Sequence, residues 1–196
     1  MYNKLNITEN GLQVISLFTK GFDKEYHIRE VEKLLKISPR TAQLILEDLE
    51  NKGITESKVK GRNKSYKLKI NELSKTYLTF VEQYKSIASM KNNLLLKEII
   101  EKISPFINGI GIIFGSYAKE IFNKESDLDI FVAGTYNKDE IKKVSRNLGV
   151  EISVKCYPLK TFEKNIYHDI LLKEILNNHI VFLNSEQFIQ EVLKNR

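Results

Sequence analysis

The sequence predicts an α+β protein in which a small helical part with a β-hairpin, a helical connector and a larger αβ part follow one another. Three observations support this fold class. Apolar residues recur at helical spacing between residues 9 and 53, a basic alternating stretch follows at 54–70, and strand-like apolar runs surround the pair Asp127 and Asp129. We therefore expect domains at residues 1–70, 71–103 and 104–196.

The composition excludes several classes of protein. The 196 residues include one cysteine, Cys156, so an internal disulfide is impossible, which fits a reducing compartment. The first residues, MYNKLNITEN, lack a signal-peptide pattern, and no apolar run approaches the roughly 20 residues that cross a bilayer. The sequence contains neither zinc-binding spacings nor a Walker loop. We expect a soluble cytoplasmic protein without a membrane segment.

Three helices are predicted in the first part. The third, SPRTAQLILEDLENKG, is the clearest, because Ser38 can cap it, Pro39 suits its first position and Gly53 follows its end. A gap of three residues, Lys36 to Ser38, separates it from the second helix, which is a helix-turn-helix spacing. The apolar positions at helical spacing are Leu12, Ile15 and Phe18, then Val31, Leu34 and Leu35, then Ala42, Leu44, Ile45 and Leu49.

A basic hairpin is predicted after the third helix. Residues 54–70 alternate as two strands around the turn Gly61-Arg62-Asn63. Six basic residues stand there against Glu56 alone, so most of the chain's net charge of +6 lies in this hairpin. Such a surplus of positive charge favours an anionic partner.

Three helices and a basic hairpin in this order resemble a winged helix-turn-helix DNA-binding domain. The resemblance implies that the third helix enters the major groove of double-stranded DNA and that the hairpin contacts phosphates. It assigns Arg40, Thr41 and Gln43 to bases, and Arg62 and Lys64 to the DNA backbone. The alternative is a solvated hairpin on a small helical domain that binds protein or positions the next domain.

A long helical connector is predicted from Asn71 to Ile103, which contains neither glycine nor proline. Asn92-Asn93 predicts a break in it, and a second, more buried helix ends at Ser104-Pro105. Its apolar stripe at heptad spacing consists of Leu73, Tyr77, Phe80, Tyr84 and Ile87. This stripe packs either on the protein's own domains or along a second copy, and we expect a homodimer because winged-helix regulators commonly bind two-fold sites.

The stretch GSYAKEIFNKESDLDIFV, residues 115–132, contains the strongest functional pattern. A strand, NGIGIIF, is predicted to end at Gly115, and Ser116 is predicted to cap a helix over YAKEIF. A helix that begins after such a turn presents free backbone N–H groups to an anion, and a glycine lets a phosphate approach the backbone closely.

A second strand is predicted over SDLDIFV. Side chains alternate along a strand, so Asp127 and Asp129 share one face, roughly 7 Å apart at Cβ. Two such carboxylates can converge on divalent ions, and Mg²⁺ prefers a few carboxylates with phosphates and water completing its ligands. The residues predicted to point into the core are Leu128, Ile130 and Val132.

Gly115, Ser116, Asp127 and Asp129 resemble the Gly-Ser, ten residues, Asp-x-Asp pattern of minimal nucleotidyltransferases in the DNA polymerase β-like superfamily. The resemblance covers roughly Ser104 to the C-terminus and implies a nucleotidyltransferase fold with a mixed sheet. It implies that the serine and nearby amides hold the triphosphate of ATP or another nucleoside triphosphate, and that the aspartates hold two Mg²⁺ ions.

A third carboxylate is implied by the same resemblance. It matches Glu151, in the strand-like run GVEISVKCY, which would join the aspartates at the metal and activate the acceptor hydroxyl. The expected products are a nucleotidyl ester, often an adenylyl ester, and pyrophosphate. A protein partner modified in trans is one possible acceptor. The histidines His27, His168 and His179 share no ligand spacing, and we assign them structural roles.

Two functions follow from these patterns. The first is an Mg²⁺-dependent nucleotidyltransferase coupled to a DNA-binding domain. The second is a DNA-binding transcriptional regulator whose nucleotidyltransferase-like domain only senses a nucleotide or is inactive. Glu120 and Glu151 favour the second, because the resembled family usually has glycine and aspartate there, and an extra carboxylate near the phosphates repels a triphosphate.

Overall fold

The computed structural model describes residues 7–61, 63–119, 121 and 126–194, and of Lys60 the backbone alone. The chain divides into two compact units, Met1–Val81 and Glu82–Arg196. Both units combine helices with a β-sheet, so the predicted α+β class is confirmed. Among the described residues, no helix is both long and apolar enough to span a membrane.

In its described residues, the first unit contains three complete helices, the first part of a fourth, and a three-stranded antiparallel sheet. Its core is formed by large buried side chains, among them Phe18, Leu46 and Tyr66. The sheet has the order β1-β3-β2, and β2 and β3 form the predicted hairpin. The elements are α1 (Glu9–Phe18), β1 (Tyr26–His27), α2 (Ile28–Leu35), α3 (Pro39–Asn51), β2 (Thr55–Lys60) and β3 (Asn63–Leu68).

The α3 helix begins where the sequence predicts. Ser38 is the N-cap, its Oγ accepts a hydrogen bond of 3.0 Å from the backbone N–H of Thr41, and Pro39 occupies the first turn. Two of the predicted apolar positions at helical spacing lie outside the core, because the side chains of Leu34 in α2 and Leu44 in α3 are 57 % and 49 % exposed. The buried stripe is Ala42, Leu46 and Leu49, at spacings of four and three, and Leu44 lies roughly 200° around the helix from Ala42.

The helix α4 (Glu72–Asn92) contains the boundary between the two units, and α5 (Leu94–Ile103) follows it. The predicted break is confirmed: Asn93 interrupts the helix, and its side chain caps α5 by accepting a hydrogen bond from Leu96 N at 3.0 Å. The prediction that the second helix is more buried is also confirmed, because α5 packs into the core of the second unit.

The second unit is built on a four-stranded mixed sheet with the order β6-β5-β4-β7. The central pair β4 and β5 is antiparallel, whereas β5 and β6 are parallel. After a 3₁₀ turn (Ser104–Phe106), the elements are β4 (Ile107–Phe114), α6 (Gly115–Ala118), β5 (Leu128–Tyr136), α7 (Lys138–Leu148), β6 (Ile152–Tyr157), α8 (Leu159–Asn165), α9 (Ile170–Asn177), β7 (Ile180–Leu183) and α10 (Ser185–Lys194).

Both faces of this sheet are covered. Leu128, Ile130 and Val132 point into a core shared with α5 and α7, as predicted. On the opposite face, the Phe131 ring packs 5.8 Å from the ring of Phe162 between centroids. Because the aspartate face of β5 becomes apolar within two residues of Asp129, the polar part of the sheet is confined to the start of this strand.

Candidate functional site

Asp127 and Asp129 lie where β5 begins. Asp127 directly precedes the strand and is exposed, whereas Asp129 is its second residue and is partly buried. Leu128 and Ile130, which alternate with them, are fully buried on the other face of the sheet. The predicted alternation therefore presents both carboxylates on one side of β5.

Gly115 lies directly beneath the Asp129 carboxylate. Phe114 and Asp129 are partners across the antiparallel strands β4 and β5, so Gly115 follows at the very end of the pairing. Its φ of 69° is in the left-handed region, and a Cβ built on it would overlap Asp129 Oδ2 and lie 3.1 Å from Cγ. Only glycine fits here without displacing Asp129.

Ser116 is the second residue of the short helix α6, not its cap. The N-cap position belongs to Phe114, which has no side-chain capping bond, so the predicted capping role of Ser116 is wrong. The chain already turns into the helix at Gly115, because the left-handed glycine changes its direction one residue earlier. The described part of the predicted helix ends at Ala118, and Glu120 lies outside the described residues.

The Asp129 carboxylate is surrounded by charges of both signs. Partial burial raises its pKa, and the neighbouring carboxylates of Asp127 and Glu174 raise it further, whereas Lys155 and Lys119 act in the opposite direction. Lys119 also pairs with Glu174, with 3.2 Å between Nζ and Oε1. A bound cation would offset both the burial of this carboxylate and its repulsion by Asp127 and Glu174.

Sequence reasoning missed Glu174 and Lys119 as neighbours of this site. Lys119 lies inside the Gly-Ser segment, so its proximity to Asp129 could have been inferred. Glu174 lies in α9, 55 residues later, and no local pattern in LLKEIL indicates its position.

Glu151 lies beside Asp127 at the level of the backbone. It precedes β6 by one residue, its side chain is exposed, and its carbonyl oxygen accepts a hydrogen bond of 2.8 Å from Leu128 N. The residue in register with Asp129 on β6 is Ser153. Within the described residues, no three His, Cys, Asp or Glu side chains are grouped as a metal cluster. The role of Glu151 therefore stays a prediction.

The carboxylates of Asp127 and Asp129, at the start of β5, nevertheless form a donor set that suits magnesium. Asp127 and Asp129 provide hard carboxylate oxygens on one face, and Mg²⁺ is bound by one or two carboxylates when substrate phosphates and water supply the remaining ligands. Burial raises the pKa of Asp129, and a bound cation would stabilise its ionised form. These residues fit a metal that arrives with its substrate.

The residues predicted to contact DNA bases lie in the first two turns of α3. Arg40 is exposed, and its Nη1 donates to Gln43 Oε1 at 3.3 Å. The Thr41 hydroxyl lies 2.8 Å from Ser38 Oγ. These contacts are local and leave the outer edge of the turn accessible.

The residues predicted to contact the DNA backbone lie in the hairpin. Lys64 Nζ is 2.7 Å from Glu50 Oε2, so this lysine ties β3 to α3. The Ser57 hydroxyl donates to the other oxygen of the same carboxylate. Arg62 lies outside the described residues. Lys64 thus already has an anionic partner within the protein.

Comparison with protein families places the site in context. The family model described as nucleotidyltransferase domain matches residues 95–192, which is half of the chain and includes Gly115, Ser116, Asp127 and Asp129. No curated protein and no solved structure matches the chain. The matched family implies nucleotidyl transfer from a nucleoside triphosphate as the general chemistry. With its mixed sheet and a paired carboxylate edge beside Gly115, the chain belongs to the nucleotidyltransferase domain family.

Proposed function

We propose that this protein is an Mg²⁺-dependent nucleotidyltransferase that transfers an adenylyl group from ATP to a hydroxyl acceptor and that binds double-stranded DNA through its first unit. The observation that carries the proposal is the Asp129 carboxylate lying against the backbone of Gly115. This contact brings a carboxylate edge and a backbone turn without side-chain bulk to the same point. A metal-bound triphosphate needs both.

Asp127 and Asp129 would hold the magnesium. When bound, the metal neutralises phosphate charge and lowers the pKa of the acceptor hydroxyl. Asp129 lies on a strand and is partly buried, which restricts the positions that its carboxylate, and whatever it binds, can adopt. The Ser116 hydroxyl and the backbone N–H groups beside Gly115 would contact the triphosphate.

The reaction can be written with the chain's own groups. The acceptor oxygen attacks the α-phosphorus of ATP, the bond between the α-phosphorus and its bridging oxygen to the β-phosphorus breaks, and pyrophosphate leaves. Glu151 would accept the acceptor's proton, since it directly precedes the neighbouring strand β6 and its backbone lies beside that of Asp127. The acceptor is a protein side chain modified in trans, an RNA end or a small molecule.

DNA binding by the first unit is supported by the order of its elements and by the basic hairpin. Ser38 caps α3 and Pro39 begins it, and Arg40, Thr41 and Gln43 in its first two turns would read bases. Arg62 and Lys64 would contact phosphates. A homodimer is supported by apolar side chains left exposed on α4 at intervals of seven residues, which are Leu73, Phe80 and Ile87.

The second candidate function is a DNA-binding regulator whose nucleotidyltransferase domain senses nucleotide without transfer. The exposed position of Glu151 and the lack of a three-carboxylate group in the described part of the chain favour it. Nucleotide binding needs only the Asp127 and Asp129 edge, whereas transfer also needs a base at the acceptor.

One experiment separates the two functions. The purified chain is incubated with ATP labelled at the α-phosphate and Mg²⁺ in its native lysate, beside Asp127→Asn and the control Asp139→Asn, an exposed aspartate in the first turn of α7. The transferase predicts label on an acceptor with the unaltered chain and the control only. Magnesium-dependent ATP binding without label transfer, together with duplex binding that changes with ATP, supports the regulator. Equal labelling by Asp127→Asn overturns the proposed site.

A further inference from the structure

An ion pair between two distant parts of the chain flanks the candidate site. Lys119 follows α6, Glu174 lies in the middle of α9, and their Nζ and Oε1 atoms are 3.2 Å apart. Most ion pairs in the second unit join residues three or four apart on one helix, for instance Lys143 with Glu140 at 2.6 Å in α7. The Lys119–Glu174 pair instead connects the Gly-Ser turn to a helix 55 residues away.

The pair lies close to the carboxylate edge. Lys119 N donates to Gly115 O at 3.2 Å, so the lysine closes the turn over which Asp129 lies. The charges of both partners also affect Asp129: Glu174 raises the pKa of this carboxyl group and Lys119 lowers it. Contact geometry and electrostatics therefore place the pair at the position that a polyphosphate on Asp127 and Asp129 would approach.

The two side chains are free to exchange partners. The side chain of Lys119 is 38 % exposed and that of Glu174 is 53 % exposed, so neither is held by burial. Ion pairs with this exposure contribute little to stability, because water competes for both charges. A ligand with several negative charges can therefore take the lysine from a single carboxylate.

We infer that Lys119 leaves Glu174 to pair with the polyphosphate of a magnesium-bound nucleoside triphosphate, and that Glu174 lowers the affinity of the empty site for nucleotide. The inference rests on the proposed function and adds two positioning residues to it. Glu174 acts in two ways: it occupies the lysine that a phosphate needs, and its own charge repels the phosphate. The site thus binds nucleotide more weakly than it would without the charge of Glu174.

Calorimetric titration of the full chain with ATP in Mg²⁺ tests this exchange. Glu174→Gln is expected to tighten binding by roughly three- to tenfold, the effect of removing one partly screened like charge. Lys119→Met is expected to weaken binding by a similar factor. In the Lys119→Met background, Glu174→Gln should raise the affinity for ATP by a smaller factor than it does alone, because part of its effect depends on the lysine. The matched control is Glu140→Gln, which breaks the exposed pair on α7 and should leave the affinity unchanged.

The direction of the Glu174→Gln effect separates this role from a structural one. A pair that only supports the fold would, when broken, lower the melting temperature and leave binding equal or weaker. Equal or weaker binding by Glu174→Gln, in a chain that binds ATP, overturns the inference alone. Absence of Mg²⁺-dependent uptake of ATP and the other common triphosphates by the unaltered chain overturns the proposed function, and the inference with it.

Discussion

The Asp129 carboxylate rests on the backbone of Gly115, so closely that a single methyl group on the glycine would overlap Oδ2. Asp129 lies in β5 and Gly115 directly follows the antiparallel strand β4, so the contact follows from the pairing of Phe114 with Asp129. It joins the two halves of the Gly-Ser and Asp-x-Asp pattern in space. A substitution that moves the Gly-Ser turn should therefore also move the Asp129 carboxylate.

Gly115→Ala is expected to abolish nucleotide binding, because the new methyl group displaces the Asp129 carboxylate and phosphates lose close access to the backbone. The left-handed φ adds a stability cost of about 1 kcal/mol. The measurement is calorimetric titration with ATP and Mg²⁺, beside thermal unfolding. Gly53→Ala is the matched control, since its φ of 72° carries the same strain but no atom lies within 4 Å of the new Cβ. Retained binding by Gly115→Ala would refute the importance of the contact.

Asp129→Asn is expected to stabilise the protein at neutral pH in the absence of nucleotide, while removing nucleotidyl transfer. The folded state raises the pKa of Asp129 above its usual 3.8, chiefly through burial, so ionisation at higher pH opposes folding. An asparagine cannot ionise and removes this cost, which is at most about 1 kcal/mol because the group is partly solvated. Urea unfolding at pH 7 and pH 4 measures it. A gain that is larger at pH 4 than at pH 7 would contradict the explanation.

Glu82→Gln is expected to cost about 3 kcal/mol of unfolding free energy, because it breaks a buried charge cluster. The Glu82 side chain is fully buried, and its carboxylate oxygens lie 2.8 Å from Lys85 Nζ and 3.2 Å from His179 Nε2. Glu72→Gln is the control on the same helix, where Glu72 pairs with Lys75 at the same spacing but is 89 % exposed. Its expected cost is below about 0.5 kcal/mol. Urea unfolding of both variants provides the comparison, and similar losses would disprove the role of burial.

The same cluster predicts a loss of stability in acid. Burial acts to raise the pKa of Glu82, but Lys85 and His179 outweigh it and hold this pKa at about 2, below the ordinary 4.5. The stabilisation from Glu82 is therefore complete above pH 4.5 and declines as the pH falls toward about 2. Burial also lowers the pKa of His179 below 6.5, so protonation of the unfolded chain adds a loss in the same direction below that pH. In Glu82→Gln, unfolding free energy should decline less between pH 4.5 and 3; a parallel decline in both proteins would count against the assignment.

Glu50→Gln is expected to strengthen duplex DNA binding, because it releases Lys64 from its partner in α3. The salt dependence of binding should then steepen by about 0.9, the slope for one additional phosphate contact. Lys64→Met should weaken duplex binding by the unaltered chain by less than one full phosphate contact, because Lys64 shares its charge with Glu50. Fluorescence anisotropy of a labelled duplex across a salt series gives both slopes. If Lys64→Met alone removes a full phosphate contact, Glu50 does not restrain the lysine.

Much of the secondary structure could be read from local patterns. Ser38 and Pro39 mark the start of α3, Asn93 separates two helices, and the alternation around Asp127 and Asp129 indicates the strand with its buried face. These predictions succeed because capping bonds and strand alternation depend on residues only a few positions apart. The errors at Leu44 and Ser116 arise because a local pattern does not decide which of several nearby residues takes a position. In each case a neighbouring residue, Leu46 or Gly115, fitted the core or the turn better.

By itself, the sequence determined the identity and spacing of the groups that define the family: a glycine before a serine, and two carboxylates on one side of a strand. Only the tertiary structure decided which charges surround them. Glu174 reaches Lys119 across 55 positions, and His179 reaches Glu82 across 97. Such pairs depend on the order of the strands and on the path of the helices between them. The free energy that brings these residues together comes from burying the whole sheet, and no short stretch of sequence contains it.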